Sequence, residues 1–207
     1  MKFNKPKLGN CISKKIVDCI NDCEFLNAIF NENISEELYI KSVTFDSCIF
    51  ENIDFSKINL EDVDLIDVEF KNCNLSNKSF DKKMLTRVSF EDCKMIGASF
   101  IESNLKDVSF NNCNCEYVNF SVSIINNLRI NNSIFNEARF SECNIKNVEF
   151  NDVKFYKAEF LRIHLTDVDF STCDIDGIIF DQKALDGIII NMFQCPNIVN
   201  MFGVKVK

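Results

Sequence analysis

The sequence predicts an all-β fold, a β-helix that winds around a square cross-section with five residues on each side. Three observations support this prediction. Every fifth residue from 45 to 190 is apolar, and most of these residues are phenylalanine. The residue two positions before each of them is small or apolar, with few exceptions. The apolar residues also sort by type at a spacing of twenty, so that Phe70, Phe90 and Phe110 form one column.

A spacing of five residues excludes the two common regular structures. In an α-helix, five residues advance about 500°, so the apolar side chains would be spread around the helix axis. In a flat strand, side chains alternate between faces, so a step of five reverses the face each time. A chain that turns a corner every five residues keeps two positions of each quintet pointing inward. Four such sides close a coil of twenty residues, and successive coils stack as in other solenoids.

Most of the eleven cysteines are predicted to be packing residues. Seven of them occupy the small inward position, namely Cys23, Cys48, Cys73, Cys93, Cys113, Cys143 and Cys173. A buried cysteine behaves as a small hydrophobic residue, and an apolar environment raises its pKa. The chain has a single histidine, and cysteine pairs at the spacing of metal sites are scarce. We therefore expect no metal ion and no other cofactor.

Asparagines recur at one outward corner of the predicted coil. Asn111, Asn112, Asn131, Asn132 and Asn151 should lie one above another. Asparagine tolerates the left-handed backbone conformation and forms hydrogen bonds to its own backbone in turns. We interpret this ladder as stabilising the corner and not as a ligand site.

One segment departs from the repeat. Lys78 and Lys83 occupy small inward positions, where an ammonium group without a partner is costly. Residues 76–88 are therefore the best candidate for a bulge, in which the backbone turns both lysine side chains outward.

The chain divides into three predicted parts. Residues 1–20 form an N-terminal cap, residues 21–190 form the β-helix, and residues 191–207 form a C-terminal capping or dimerisation segment. Caps are expected because a solenoid exposes apolar coils at both ends. In the last part, Pro196 is predicted to start a short helix and Gly203 to end it.

The N-terminal cap has a helical pattern of its own. Ile16, Cys19 and Ile20 recur at helical spacing, and Ser13 precedes them as a candidate N-cap. The chain has no run of about 18 apolar residues and no signal-like apolar stretch at its start. We expect a cytoplasmic protein that does not associate with membranes.

Charge is distributed unevenly along the chain. The net charge is −8; residues 1–20 contribute +4 and residues 191–207 contribute +2, which leaves −14 for residues 21–190. Direct nucleic-acid binding is not expected, because it needs a basic stripe. The densest acidic stretch is predicted to form a partner-binding face of Glu61, Asp62, Asp64, Asp67 and Glu69. A second acidic stretch contains Glu149, Glu159, Asp167, Asp169, Asp174 and Asp176.

Catalysis has little support in the sequence. There is no nucleophile-elbow motif, phosphate-binding loop or cluster of metal ligands. His164 falls in an outward position and is predicted to be a surface residue. Pairs of acidic residues are too common on the predicted surface to indicate acid–base chemistry. We expect a protein that is not an enzyme.

The quintet, read as small residue, polar residue, Phe or Leu and two polar residues, resembles the motif A(D/N)LXX of the pentapeptide repeat family. The resemblance covers about residues 21–190 and implies a right-handed quadrilateral β-helix. The segments LSNKSF, CKMIGASF, LKDVSF and VDFSTCDIDGI are also similar to those of Gram-positive Qnr-type proteins. The tail LDGIIINMFQCPNIVNMFGVKV, residues 185–206, is similar to the end of the same proteins.

This narrower resemblance implies a function. Qnr-type proteins protect DNA gyrase and topoisomerase IV from quinolones, and they are rod-like dimers whose shape and charge resemble duplex DNA. The resemblance favours a homodimer here, joined through Ile198, Val199, Met201 and Phe202. These four residues could instead only cap the rod. The alternative function is a pentapeptide-repeat scaffold for protein–protein interaction with an unrelated partner.

Overall fold

The computed structural model describes residues 3–20 and 23–206 and shows a β-solenoid of about eight turns with a short C-terminal helix. The strands are β1 Ile12–Ser13, β2 Glu24–Leu26, β3 Ala28–Phe30, β4 Leu38–Asp46, β5 Ile49–Glu51, β6 Ile58–Lys71, β7 Met84–Glu91, β8 Asn104–Asn111, β9 Ile124–Asn131, β10 Asn144–Asn151, β11 Glu159–Phe160 and β12 Ile179–Phe180. The α-helices are α1 Gln182–Leu185 and α2 Cys195–Asn200, and 3-10 helices span Ile16–Ile20, Phe55–Lys57 and Met192–Gln194.

Neighbouring strands of the solenoid are parallel and pair residues twenty positions apart. Phe90 of β7 pairs with Phe70 of β6 and with Phe110 of β8. The same register continues to β10, whose Phe150 pairs with Ile130. The predicted coil of twenty residues is thereby confirmed.

Two ladders of phenylalanine rings fill the core. Phe80, Phe100 and Phe120 stack with ring centroids 4.9 and 4.8 Å apart. The second ladder contains Phe70, Phe90 and Phe110. It meets the first ladder edge to face, and the centroids of Phe100 and Phe110 lie 6.1 Å apart. Offset stacking and edge-to-face contact are the arrangements that aromatic quadrupoles favour. Each coil is therefore held by its own burial and by the rings of the coils on either side.

The stacked cysteines lie inside the rod, as predicted. Cys73, Cys93 and Cys113 are buried, and no cysteine of the described residues forms a disulfide. The neighbouring thiol of Cys113, together with burial, raises the pKa of Cys93 to about 12. A protonated thiol of this kind is a packing group. Cys23 departs from the prediction, because it lies at the start of the first coil, ahead of β2, and is exposed.

The corners of the coil adopt the left-handed backbone conformation. A residue with positive φ recurs at every fifth position from 62 to 167. Asn112 and Asn132, which the asparagine ladder placed at a corner, have φ of 54° and 48°. Other corners carry side chains that do not favour this conformation, and the β-branched Val122 is the clearest case, at φ 64°.

Replacement of Val122 by asparagine is expected to stabilise the protein. Valine pays about 1–2 kcal/mol for the left-handed conformation, whereas asparagine visits it readily. Val122 is 51% exposed, so the substitution opens no cavity in the core. We expect the free energy of unfolding to rise by about 1 kcal/mol in urea titrations. Asn112→Val is the matched reverse change and should lower it by a similar amount; an unchanged Val122→Asn variant would contradict the expectation.

The bulge predicted at residues 76–88 is wrong. The coil continues through this segment in register, and Leu85 pairs with Leu65 of the preceding coil. Lys78 stays in its inward position, half-buried, and its Nζ donates to the carbonyl oxygen of Ile58 at 2.9 Å. The second lysine of the segment is half-buried too. Burial lowers the pKa of Lys78, but this backbone carbonyl supplies the partner that the ammonium needs.

The first end of the rod is closed by the 3-10 helix Ile16–Ile20, whose Ile16 and Cys19 are buried. Ser13 does not cap this helix, because it belongs to β1 and pairs with Ile29 of β3.

The second end carries α2, which has Pro196 in its first turn as predicted. Gly203 follows with φ 74°, and its N–H donates to the carbonyl of Asn200 at 3.0 Å. Within the described residues, no helix has the length and apolar character needed to cross a membrane.

Candidate functional site

The acidic residues predicted as a partner-binding face all lie on β6 but do not share one side of the rod. Positive φ at Asp62 and Asp67 marks two corners within the strand. Asp64 lies on the side between these corners, whereas Glu61 and Glu69 lie on the sides before and after it. The carboxylates therefore wrap around one coil and cannot all contact a flat partner.

Most of these carboxylates already have partners. Glu61 accepts from Lys41 Nζ at 2.6 Å, and both side chains are exposed. Asp62 accepts from the Ser42 hydroxyl at 3.0 Å. Among the described residues, Asp62 and Asp64 form no ion pair and are exposed.

Ion pairs on the rod mainly join one coil to the next. Six of the seven ion pairs found among the described residues link side chains twenty positions apart. Arg162 and Glu142 are an example, at 2.6 Å. Exposed pairs of this kind contribute little energy one by one. Part of the surface charge thus links neighbouring coils and is not available to a partner.

Asp67 is the one predicted contact residue that the structure removes from the surface. Its side chain is 7% exposed and forms a bidentate ion pair with Arg87, at 2.5 Å from Nε to Oδ1 and 2.6 Å from Nη2 to Oδ2. It also accepts from the backbone N–H of Lys7 at 2.8 Å. The N-terminal segment covers this corner, and the repeat pattern contains no signal of that cover.

The N-terminal residues 3–11, here called the strap, run along the rod across successive coils. Cys11 Sγ donates to the carbonyl of Ser47 at 3.3 Å at one end. At the other end, the Phe3 ring lies 4.5 Å from the Arg129 guanidinium, a cation–π contact. The strap therefore crosses strands that the repeat would otherwise leave open to solvent.

Asp107 is the second carboxylate that holds the strap. It is 1% exposed and accepts from the backbone N–H of Asn4 at 3.2 Å and from Asn4 Nδ2 at 3.1 Å. Asn127 Nδ2 also donates to it at 2.8 Å. Beyond this point, Phe3 lines a groove of about 380 Å³ together with Leu128 and Val148.

Replacement of Asp67 by asparagine is expected to destabilise the protein in a pH-dependent way. Burial alone would raise the pKa of Asp67, but hydrogen bonds from Arg87 and from the Lys7 N–H outweigh it and hold the pKa below its ordinary value. A carboxyl with a depressed folded-state pKa stabilises the fold above the unfolded value, about 3.9, and loses that contribution as pH falls through the folded-state pKa. The Arg87 guanidinium also interacts electrostatically with the carboxylates of Asp46 and Asp107.

Urea titrations of wild type and Asp67→Asn measure this effect. The difference in free energy of unfolding should be about 2 kcal/mol at pH 7, because hydrogen bonds to a charged group are lost, and it should shrink as pH falls below about 4. Asp64→Asn is the matched control and should be nearly neutral, since Asp64 is exposed. A difference that stays constant with pH would contradict the assignment.

The C-terminal end presents exposed apolar side chains. Phe202, a residue of the predicted dimer seam, is 67% exposed. Ile198 and Met201 are half-buried and pack against the core, and Val199 is half-buried too. Phe193, the most exposed ring of this end at 86%, was not among the predicted seam residues. The sequence feature that could have indicated its exposure is the departure from the five-residue spacing after position 190.

His164 is exposed, as its outward position predicts. It lines an open hollow beside α1 with Lys183, Leu185, Asp186 and Phe202. Within the described residues, no group of three or more histidine, cysteine, aspartate or glutamate side chains is placed to hold a metal ion.

Two family models for pentapeptide repeats match the sequence. The model described as a pentapeptide repeat region matches residues 63–140. The model of eight pentapeptide repeats matches residues 41–77 and 133–171, so that the two together span residues 41–171. The chain belongs to the pentapeptide repeat family.

Solved structures of similar fold match this chain, and those of QnrB1 cover nearly all of it. A trypsin-treated variant of QnrB1, a plasmid-mediated fluoroquinolone resistance protein, matches with a TM-score of 0.51 and 17% identity, over 95% of this chain and 98% of that one. Full-length QnrB1 matches with a TM-score of 0.41 and 18% identity, over 94% and 97%. A pentapeptide repeat protein from the Arabidopsis thaliana thylakoid lumen matches with a TM-score of 0.38 and 19% identity, over 66% and 88%. None of the curated protein sequences matches this chain.

Proposed function

We propose that this pentapeptide repeat protein is a non-enzymatic, cytoplasmic protein that interacts with DNA gyrase or topoisomerase IV and reduces quinolone susceptibility. One observation carries the proposal, namely an uninterrupted rod with an acidic exterior and an apolar C-terminal end. The fold shared with QnrB1, which is described as a fluoroquinolone resistance protein, supports it. The similarity of residues 185–206 to the tail of Qnr-type proteins supports it as well.

The charge of the rod is consistent with a partial likeness to DNA. About eight coils stacked at about 4.8 Å make a rod of about 40 Å. Duplex DNA of that length carries about 24 negative charges. Residues 21–190 carry a net −14. We propose that exposed carboxylates outside the ion pairs between coils contact the topoisomerase, and on β6 these are Asp62 and Asp64.

Purified gyrase tests the proposal directly. Wild-type protein should inhibit supercoiling, or restore it in the presence of a quinolone. The double variant Asp62→Lys/Asp64→Lys should lose at least tenfold in this effect, because four units of charge change at exposed positions. The matched control Asp174→Lys/Asp176→Lys makes the same change at exposed positions of the second acidic stretch.

The two variants separate the outcomes. A loss in the first variant alone places the contact on the coil of β6, and a loss in the control alone moves it to the C-terminal half of the rod. If wild-type protein neither inhibits gyrase nor rescues it from the drug, the proposed function is wrong. The second candidate function, an interaction scaffold with an unrelated partner, is then favoured, because it requires the surface of the rod but no effect on gyrase.

A further inference from the structure

The strap buries polar groups that a solenoid would otherwise leave in water. Within residues 43–190, the buried polar side chains in outward positions all lie along the strap, namely Ser47, Asp67, Ser89, Asp107 and Ser109. Lys5 and Pro6 line a hollow with several of their neighbours, including Glu69, Ser89 and Glu91. The face under the strap is therefore a built polar groove and differs from the rest of the exterior.

The groove matches the dimensions of an extended chain. Asp67 and Asp107 are two coils apart, about 9.6 Å at a spacing of about 4.8 Å. They accept from the N–H groups of Lys7 and Asn4, which are three residues apart. Three residues of extended chain span about 10 Å. The spacing of the two carboxylates thus matches the spacing of N–H groups three residues apart in an extended segment.

Recognition in this groove depends mainly on groups that any chain possesses. The bonds to both carboxylates come from backbone N–H groups, and one side chain, that of Asn4, adds a further bond. The Phe3 ring on Arg129 adds an aromatic anchor. A segment of another protein with an aromatic residue and donors three residues apart could replace the strap.

The strap covers the groove incompletely. Phe3, Pro6 and Leu8 are only half-buried, and Lys5 and Lys7 are exposed. The hydroxyl of Ser89 is buried beneath the strap and has no hydrogen-bond partner among the described residues. A cover that leaves a buried polar atom unpaired is not optimal for this surface.

We propose that the strap-covered face is a binding groove for an extended basic segment of a partner protein, and that residues 3–8 occupy it when the partner is absent. The charge of the groove selects the occupant. Four carboxylates lie along the groove, and two of these already form ion pairs, Asp67 with Arg87 and Glu69 with Lys71. Glu91 and Asp107 form no ion pair among the described residues, and the strap brings Lys5 and Lys7 to this face. The groove is independent of the gyrase contact proposed above, so either can fail alone.

A peptide in trans tests the groove in the full chain. The variant Asn4→Pro/Lys7→Pro removes both N–H donors and leaves both carboxylates in place. A fluorescent peptide of residues 3–9, FNKPKLG, should bind this variant at least tenfold more tightly than wild type in anisotropy titrations. The reason is that in wild type the tethered strap competes at an effective concentration in the millimolar range.

The controls use matched substitutions. Lys5→Pro changes a strap residue whose N–H donates no hydrogen bond among the described residues, and it should behave like wild type. Adding Asp67→Asn and Asp107→Asn to the released variant should abolish peptide binding. Asp107→Asn alone serves if the four-site variant does not fold by circular dichroism.

Three outcomes would overturn the proposal. The released variant could bind the peptide no better than wild type, or a scrambled peptide could bind equally well. Light scattering could also show that the released variant has a smaller molecular mass than wild type, which would make the groove a contact between two copies of this chain. A gyrase effect that persists through any of these results would leave the proposed function standing.

Discussion

Replacement of Phe100 by alanine is expected to lower the free energy of unfolding by about 3–5 kcal/mol. The ring is fully buried and stacks between Phe80 and Phe120, at 4.9 and 4.8 Å. It also meets Phe90 and Phe110 edge to face. The close spacing of the coils prevents the neighbours from collapsing into the space, so both the burial energy and a cavity term are lost.

Urea titration measures this change. Tyr39→Ala removes an aromatic side chain that is 65% exposed and should alter the free energy of unfolding by no more than about 0.5 kcal/mol. The loss in free energy of unfolding for Phe180→Ala should lie between those of Phe100→Ala and Tyr39→Ala, because Phe180 lies near the end of the ladder and is 6% exposed. In a solenoid, stability is nearly a sum over coils and their neighbours, so position along the rod matters. A loss below about 1 kcal/mol for Phe100→Ala would contradict the ladder.

The core could be predicted because each coil repeats the same physical problem. Two positions in every five must enter a narrow interior, and only apolar or small side chains can do so without cost. The spacing of Phe70, Phe90 and Phe110 therefore determined both the coil length and the register. Corner conformations were predictable only in part. Asparagine indicates the left-handed region, but Val122 adopts it because the coil geometry imposes it.

The strap could not be predicted, because it obeys no repeat. Its bonds run from backbone N–H groups to carboxylates, and backbone donors leave no trace in the residue pattern. The clue was the contrast between the basic residues 1–20 and the acidic residues 21–190. This contrast indicates that the two parts of the chain attract each other, but it does not show which coils the N-terminal segment crosses. For the same reason, Asp67 looked like any other outward carboxylate.

Lys78 shows a second limit. An inward lysine is costly only if no acceptor lies within reach. The carbonyl of Ile58, in the coil before, is such an acceptor, and carbonyl positions follow from the fold and not from residue type. The C-terminal end was predictable in outline, because Pro196 and Gly203 mark the helix. The orientation of its apolar residues was not, since it depends on how α2 packs against the last coil.

The apolar C-terminal end is the surface on which we propose that two copies join. Ile198 and Met201 pack against the core, so they cap the rod. Phe202 and Phe193 remain 67% and 86% exposed, and Met192 is 77% exposed. Exposed aromatic rings in one segment are typical of an interface, where aromatic residues contribute most of the binding energy. The structure thus divides the predicted seam into residues that cap and residues that are available to a second copy.

The double variant Phe193→Asp/Phe202→Asp is expected to convert a dimer into a monomer. Each aspartate would place a charge without a partner in an apolar interface, and hot-spot losses of about 2–4 kcal/mol correspond to at least about a thirtyfold rise in the dissociation constant. Light scattering should then show the molecular mass reduced by half, while circular dichroism stays unchanged. Tyr39→Asp and Tyr117→Asp introduce the same charge at exposed aromatic positions on the body of the rod and should leave the mass alone. A wild-type protein that is already monomeric, or a variant of unchanged mass, would assign the exposed rings to some other contact and leave α2 only the role of a cap.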